Sequence, residues 1–150
     1  MPKPTEEPIG LAVTRSAKAL SRAFDDALAA AGGSLPVWLV LVSLKSQDHA
    51  AQRRLAESVG IEGPTLTHHL DRMEAAGLVT RRRDPDNRRA HLVTLTDEGE
   101  GTFARLLGVV TDFDRRLRAG INDRDLATLR RVLDQLVANA TVAETKELPS

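Results

Sequence analysis

Two short amphipathic segments joined by a tight glycine-containing turn restrict the fold of this chain more than any other sequence feature. The first segment, 51–59, places its apolar residues on one helical face and ends at Gly60. The turn GIEG follows, and Pro64 opens the second segment, which ends at Gly77. Its inward row consists of apolar residues three or four positions apart: Leu66, Leu70 and Met73. The sequence therefore predicts a helix-turn-helix.

A β-hairpin is predicted directly after this motif. The stretches LVTRRR (78–83) and AHLVTL (90–95) alternate β-branched with other residues, as short strands do. The stretch between them, DPDNRR (84–89), is rich in turn-forming residues. A helix-turn-helix followed by a hairpin is a winged helix, in which the hairpin is the wing.

Helices are predicted on both sides of the winged helix. Apolar residues recur at helical spacing from Ile9 until the glycine pair 32–33. Ser34 then precedes LPVWLVLVSLK, which is apolar on nearly every side and predicts a buried helix. A buried strand is the alternative, but Pro36 fits the first turn of a helix. Thr96 is expected to cap a long helix, and Asn122 or Asp123 the last one.

The fold class predicted from these elements is mainly α with a small β-hairpin wing. The terminal helices carry more apolar surface than a small wing domain can cover, so we expect them to form a two-fold homodimer. A monomer whose terminal helices fold back on each other is the alternative. The predicted regions are a helical dimerisation region (9–33 and 97–140), a DNA-binding winged helix-turn-helix (34–96), and flexible tails (1–8 and 141–150).

Composition narrows the class of protein. The chain has 150 residues, of which 41% are hydrophobic and 28% charged, as in ordinary globular proteins. It contains no cysteine, which excludes disulfides and thiol chemistry. No apolar stretch is long enough for a transmembrane helix and no secretory signal is present, so we expect a cytoplasmic protein without a membrane partner. No phosphate loop, nucleophile elbow or catalytic histidine–carboxylate pattern occurs, so we expect neither an enzyme nor a bound cofactor.

The order of these segments resembles the MarR family of bacterial transcriptional regulators. The resemblance spans residues 9–139 and rests on RRLAESVGI, PTLTHHLDRMEAAGLVTR, the wing RRRDPDNRRAHLVTLT and the DEG that follows it. It implies a triangular homodimer that binds double-stranded DNA at an inverted-repeat operator. We expect it to act as a repressor that a small phenolic or acidic effector releases, with the effector in a cleft between the DNA-binding lobe and the dimerisation helices.

The wing carries an unusual concentration of charge for a chain whose formal net charge is zero. Residues 81–89 hold five arginines and two aspartates. An arginine at the tip can enter the minor groove while the others contact phosphates. The expected wing contacts are Arg81, Arg82, Arg83, Asp86, Asn87, Arg88 and Arg89. A solvated hairpin whose arginines pair with Asp84 and Asp86 is the alternative.

The wing departs from the family at one position. Members often carry Asp-x-Arg at the tip, where the acid holds the arginine of the minor groove. The corresponding residues here are Asn87 and Arg89. Asparagine cannot form a charge-assisted hydrogen bond. We therefore expect Asp86 or Asp84 to hold Arg89, or Arg89 to be more mobile.

The second helix of the motif is expected to read bases in the major groove. Opposite its apolar row, arginine suits guanine, and threonine suits bases or thymine methyl groups. The predicted contacts are Pro64, Thr65, Thr67, His68, His69 and Arg72. For Thr67 a packing or phosphate-contact role is the alternative, and for His69 a place on the helix flank. Asp71 is expected to orient Arg72 or Arg54.

Two further expectations concern small ligands. An effector cleft is predicted at Leu20, Phe24, Trp38 and Val42, although plain core packing fits each of them as well. All four histidines lie between His49 and His91, so a metal- or pH-responsive regulator is an alternative function. Adjacent His68 and His69 diverge on a helix, so no metal site is predicted. A winged helix that contacts proteins instead of DNA is the other alternative.

Overall fold

The computed structural model describes residues 6–47 and 50–146, with side chains placed as far as residue 142. Within these ranges lie six helices and three short strands, and the predicted fold class is confirmed. The elements are α1 (Ile9–Ala30), α2 (Leu35–Ser46), β1 (Ala50–Ala51), α3 (Gln52–Val59), α4 (Gly63–Ala75), β2 (Val79–Asp84), β3 (Asn87–Leu95), α5 (Asp97–Arg118) and α6 (Asp123–Lys146). The chain divides into two compact units, and the boundary falls inside α5, between Phe113 and Asp114.

The core of the first unit forms around α2, which is a helix and not the alternative strand. The Ser34 hydroxyl accepts a hydrogen bond from the Val37 amide at 3.3 Å, and Pro36 lies in the first turn. Because α2 is apolar on nearly every side, most of it can be buried between other elements. Its buried residues are Trp38, Val40, Leu41 and Leu44.

Helix α1 belongs to the same compact unit as the winged helix. Leu28 is fully buried in the core that surrounds α2. Phe24 also contacts Phe113 of α5, with ring centroids 5.2 Å apart. The assignment of residues 9–33 to a dimerisation region stays a prediction. The N-terminal half of α1 is exposed, so one helix serves both the core and an outer surface.

The wing belongs to a three-stranded antiparallel sheet with the strand order β1-β3-β2. The sequence predicted only the two hairpin strands, because β1 has two residues and shows no alternation. It pairs Ala50 with Val93 and Ala51 with Leu92. The hairpin turn is also shorter than the predicted segment 84–89, since pairing continues to Asp84 and Asn87. The helix–turn–helix and the wing are thus joined by backbone pairing as well as by the core.

Thr96 links the end of the wing to both neighbouring helices. Its hydroxyl donates to the Gly77 carbonyl and accepts a hydrogen bond of 3.0 Å from the Gly99 amide at the start of α5. Gly77 has a φ of +79°, a conformation that glycine adopts readily at the end of a helix. The predicted cap at Thr96 is thus confirmed, and it fixes where α4 ends and α5 begins.

The second unit comprises the end of α5 and the whole of α6. The Asn122 side chain caps α6 by accepting a hydrogen bond of 2.8 Å from the Asp125 amide. The helix continues to Lys146, beyond residue 140, after which the sequence predicted a flexible tail. No glycine or proline interrupts residues 141–146, so the helical hydrogen bonds can continue. Residues 1–5 and 147–150 lie outside the described ranges.

No single helix in the described ranges is long and apolar enough to cross a membrane. Of the described helices, one pair, α1 and α2 with a bend of 78° between them, meets that criterion of length and composition when taken together.

We predict that Gly99→Ala destabilises the protein by about 2–3 kcal/mol, because a rigid core resists extra volume. A Cβ atom at Gly99 would lie 2.1 Å from the carbonyl oxygen of Leu78, which is backbone and cannot rotate away. Gly101→Ala is the matched control, since a Cβ there meets nothing within 4 Å. Alanine is preferred over glycine within helices by about 1 kcal/mol, so the control should not lose stability. Urea unfolding at one protein concentration measures both, and equal midpoints would contradict the prediction.

Candidate nucleic-acid interface

Helix α4 is oriented by its buried row, as the sequence predicted. Leu66, Leu70 and Met73 all have exposed fractions of 2% or less. The opposite side of the helix faces outwards, because residues three or four apart share a face. Four of the six predicted base-contacting residues are exposed there: Pro64, Thr65, His68 and Arg72. The other two, Thr67 and His69, are half-buried.

The Thr67 hydroxyl is engaged within the protein. It donates to the Gly63 carbonyl at 3.0 Å and accepts from Nε2 of Gln52 at 2.7 Å. A threonine hydroxyl has one proton, which here goes to the backbone. Thr67 therefore has no proton left for a base, and its role lies in the contact with Gln52. No sequence pattern indicates this contact, since the two residues are 15 positions apart.

The wing turn consists of two residues, Pro85 and Asp86. The Asp84 carboxylate accepts a hydrogen bond of 2.9 Å from the Asp86 amide, and Oδ1 of Asn87 accepts one of 3.2 Å from the Arg89 amide. Within the part of the chain that the structure describes, neither aspartate pairs with Arg89, so the expected pairing is absent, while the expectation that Arg89 is more mobile stays a prediction. Asp84 is occupied in stabilising the turn, as aspartate commonly is.

Four wing arginines are exposed: Arg82, Arg83, Arg88 and Arg89. The strand pairing changes register between Arg83, which pairs with His91, and Asp84, which pairs with Asn87. Residues 88–90 consequently have no partner in β2, and such irregularities redirect side chains. Among the described residues none of these four arginines forms an ion pair, so the alternative of an internally neutralised hairpin is wrong.

The fifth arginine, Arg81, turns back to α4. Its guanidinium pairs with Asp71 and with Glu74 at 3.1 Å, and its side chain is only 18% exposed. Asp71 therefore orients Arg81, and the expectation that it orients Arg72 or Arg54 is wrong. The hydrogen bond from Arg81 lowers the pKa of the Glu74 carboxyl. This cluster joins β2 to α4, the helix expected to read bases and called the recognition helix below, whereas the sequence analysis grouped Arg81 with the DNA contacts.

A cavity of about 610 Å³ lies between the α1–α2 turn, the start of α2, α4 and α5. Val37, Met73 and Leu78 form part of its apolar wall. Its polar and charged lining residues are Ser34, His69, Arg72, Thr102 and Arg105. The Arg105 Nε donates to the Ala31 carbonyl at 3.1 Å, and this hydrogen bond holds the guanidinium group beside the α1–α2 turn. Thr102 and Arg105 were missed by the sequence analysis, because nothing in α5 distinguished them from surface residues.

The four residues predicted to form an effector cleft do not line this cavity. Trp38 is buried and stacks on Phe103, with ring centroids 5.5 Å apart. Phe24 packs against Phe113, while Leu20 and Val42 are exposed by 48% and 37%. The structure thus divides the four between core packing and the surface, and the alternative of plain packing fits Trp38 and Phe24.

The described residues contain no cluster of three or more histidine, aspartate or glutamate side chains that could hold a metal ion. The imidazole rings of His68 and His69 have centroids 6.0 Å apart and are inclined by 58°. His49, one of the four histidines considered for a metal-responsive function, lies outside the described ranges.

Comparisons with known proteins find similarity to the MarR family and to solved transcriptional regulators. Residues 34–91 match the sequence model of the MarR family. The transcriptional repressor CouR, bound to a 23-mer DNA duplex, is 27% identical over 87% of this chain and 92% of that one, with a TM-score of 0.79. A MarR-family transcriptional regulator from Rhodococcus sp. RHA1 is 28% identical over 85% and 91%, with a TM-score of 0.74. Mutant MarR from E. coli, complexed with operator DNA, is 23% identical over 86% and 93%, with a TM-score of 0.78.

The buried helix-turn-helix and the adjoining arginine-rich hairpin define a winged-helix protein of the DNA-binding type. Residues 34–91, which contain the helix-turn-helix and most of the wing, match the MarR-family model, and these solved transcriptional regulators share the fold, so the chain is similar to the MarR family of transcriptional regulators.

We predict that Arg81→Ala raises the pKa of Glu74 and lowers the stability of the protein. In the folded protein this pKa lies below its ordinary value of 4.5, so its contribution to stability is present above that value. It is lost as the pH falls through the lowered pKa. Carboxyl NMR shifts during a pH titration measure the change, and urea unfolding measures stability. Arg82→Ala, which removes an exposed arginine, is the control. An unchanged pKa of Glu74 in Arg81→Ala would contradict the ion pair between Arg81 and Glu74.

Proposed function

We propose that this protein is a sequence-specific repressor that binds an inverted-repeat operator as a homodimer. The observation that carries the proposal is the set of four exposed wing arginines that form no ion pair with any described residue and lie beside the outward face of α4. A helix of this size fits the major groove, and arginines on a hairpin suit the neighbouring minor groove and phosphates. Arg72 is the residue best suited to read a guanine. The DNA-bound repressor CouR supports this function by similarity.

The dimer proposal rests on apolar surface that each unit exposes. In the first unit, Ile9 and Leu11 of α1 are more than half exposed. In the second, α6 exposes apolar residues along its length: Leu129, Val132, Leu133, Val137 and Val142. Such surface favours a symmetric partner. The two recognition helices of the dimer would lie about 34 Å apart, one turn of DNA, at an operator in the cytoplasm.

The proposed effector is a small aromatic acid bound in the 610 Å³ cavity. Arg72, Arg105 and His69 can hold an anionic group there, and the apolar wall can hold a ring. Because Arg72 and His69 also belong to α4, a ligand that engages them favours a state in which they no longer serve DNA. Such a ligand shifts the population by its difference in affinity for the two states.

We predict that Arg89→Ala weakens binding to every duplex and reduces the salt dependence. Losing one phosphate contact lowers the slope of log K against log salt concentration by roughly one per protomer. Arg124→Ala removes the same charge from the first turn of α6, outside the winged helix, and should leave affinity and slope unchanged. Fluorescence anisotropy over a salt series measures both variants. Equal slopes for Arg89→Ala and the wild type would exclude the wing contact.

We predict that Arg105→Ala binds operator as the wild type does but responds less to effector. The side chain lines the cavity on α5 and lies outside α4 and the wing, so its loss removes no proposed DNA contact. Urea unfolding measures any stability lost with its hydrogen bond to the Ala31 carbonyl. With hydroxybenzoates as probes, the concentration that releases half of the operator should rise about tenfold, the effect of losing one charged hydrogen bond. Arg124→Ala again serves as the control. An unchanged release concentration would place the effector elsewhere.

A further inference from the structure

A second groove, of about 620 Å³, lies between α3, the start of α4 and β3. Its lining includes Arg53 and Glu57, which have no role in the interface described above. Its polar lining comes from three elements and includes Gln52 and Arg53 of α3, Thr67 of α4, and Asn87, Arg89 and His91 of β3. It therefore joins the recognition helix to the wing along the surface that carries the proposed DNA contacts.

The geometry of a DNA duplex indicates which part of it would lie in this groove. The major and minor grooves of DNA are separated by a single sugar–phosphate strand. A protein with α4 in the major groove and its hairpin in the adjacent minor groove must straddle that strand. The surface between α4 and β3 is this groove, so the strand passes along it if the proposed function is correct.

Gln52 is held in one orientation at the edge of the groove. The single Thr67 proton goes to the Gly63 carbonyl, so Thr67 can only accept from Gln52, and the nitrogen of the Gln52 amide must face it. The amide retains one N–H group, a suitable donor for a phosphate oxygen. Holding a side chain in place before binding reduces the entropy lost on binding.

Arg53 supplies charge to the same groove. Its side chain is 92% exposed and its Nε lies 3.8 Å from Oε1 of Glu57, one helical turn further on. An exposed pair at this separation contributes little energy, so a phosphate can compete for the guanidinium. The next residue, Arg54, does not line the groove, because adjacent side chains on a helix diverge by about 100°.

We propose that this groove binds one sugar–phosphate strand of the duplex, with Arg53 and Gln52 as phosphate contacts and Thr67 as the positioning residue of Gln52. The inference rests on the proposed function and extends the DNA interface from α4 and the wing to α3. These contacts carry no base information, so they raise affinity for operator and random duplex alike.

Neighbouring arginines test the charge contact. Arg53→Ala should reduce affinity for operator and random duplex by about tenfold and lower the salt slope by roughly one per protomer. Arg54→Ala makes the same change of net charge and should leave both quantities close to those of the wild type. Equal losses in the two variants would mean that only overall charge matters, and no loss in Arg53→Ala would mean that the strand lies elsewhere. Either result overturns the proposal.

The carboxylate of Glu57 offers a test in the opposite direction. Glu57→Gln removes a negative charge that faces the groove and competes for Arg53. Affinity for both duplexes should rise about two- to fivefold, because repulsion of the phosphates is removed. A variant that merely disturbs the fold would not bind more tightly. An unchanged or lower affinity contradicts a strand in this groove.

A double-mutant cycle tests the positioning role of Thr67. Thr67→Val keeps the shape but cannot accept the Gln52 hydrogen bond, and should weaken binding about fivefold, as Gln52→Ala should. In the Gln52→Ala background, Thr67→Val should have no further effect on affinity. Independent, multiplying losses would show that Thr67 acts without Gln52, which contradicts its assigned role. Equal urea midpoints identify variants whose folding is intact.

Arg89→Ala distinguishes a failure of the groove proposal from a failure of the proposed function. If it weakens binding while Arg53→Ala and Gln52→Ala do not, the wing contact stands and the groove is not used. If the wild type binds neither duplex, the proposed function itself fails.

Discussion

The burial of Leu66, Leu70 and Met73 is the constraint on which the DNA-binding surface depends. Each fully buried side chain of this size contributes about 1.5–3 kcal/mol, enough to fix the rotation of α4 about its axis. Once that rotation is fixed, helical periodicity leaves Thr65, His68 and Arg72 outside. The identity of the outward residues then decides what the helix can read.

The wing depends on α4 through a second, electrostatic link. Arg81 of β2 pairs with two carboxylates of α4, and Thr96 joins the end of β3 to the Gly77 carbonyl. These contacts lie at the base of the hairpin, whereas the change of register lies near its tip. The base is therefore held to the recognition helix, while the tip presents Arg88 and Arg89 to solvent. The surface between the two elements is the groove that we assign to the DNA strand.

The helices and the family could be predicted from sequence because their signals are local. Apolar spacing located α1 and α4, and Ser34, Thr96 and Asn122 marked helix starts. The strand β1 could not be predicted, since two residues show no period and pair only in three dimensions. Likewise, five arginines in nine positions look alike in sequence, and only the approach of Asp71 and Glu74 distinguishes Arg81. The residues that line the 610 Å³ cavity could not be predicted, because an apolar stripe in sequence does not distinguish a cavity wall from packed core.

The most direct test of the central claim is fluorescence anisotropy of the wild-type protein with duplex DNA from upstream of its own gene. A random duplex of equal length serves as the control, and both are titrated over a salt series. The account predicts tight binding of a dimer to one inverted repeat, with affinity that falls steeply as salt rises. Equally weak binding to both duplexes, in protein free of bound ligand, would contradict it.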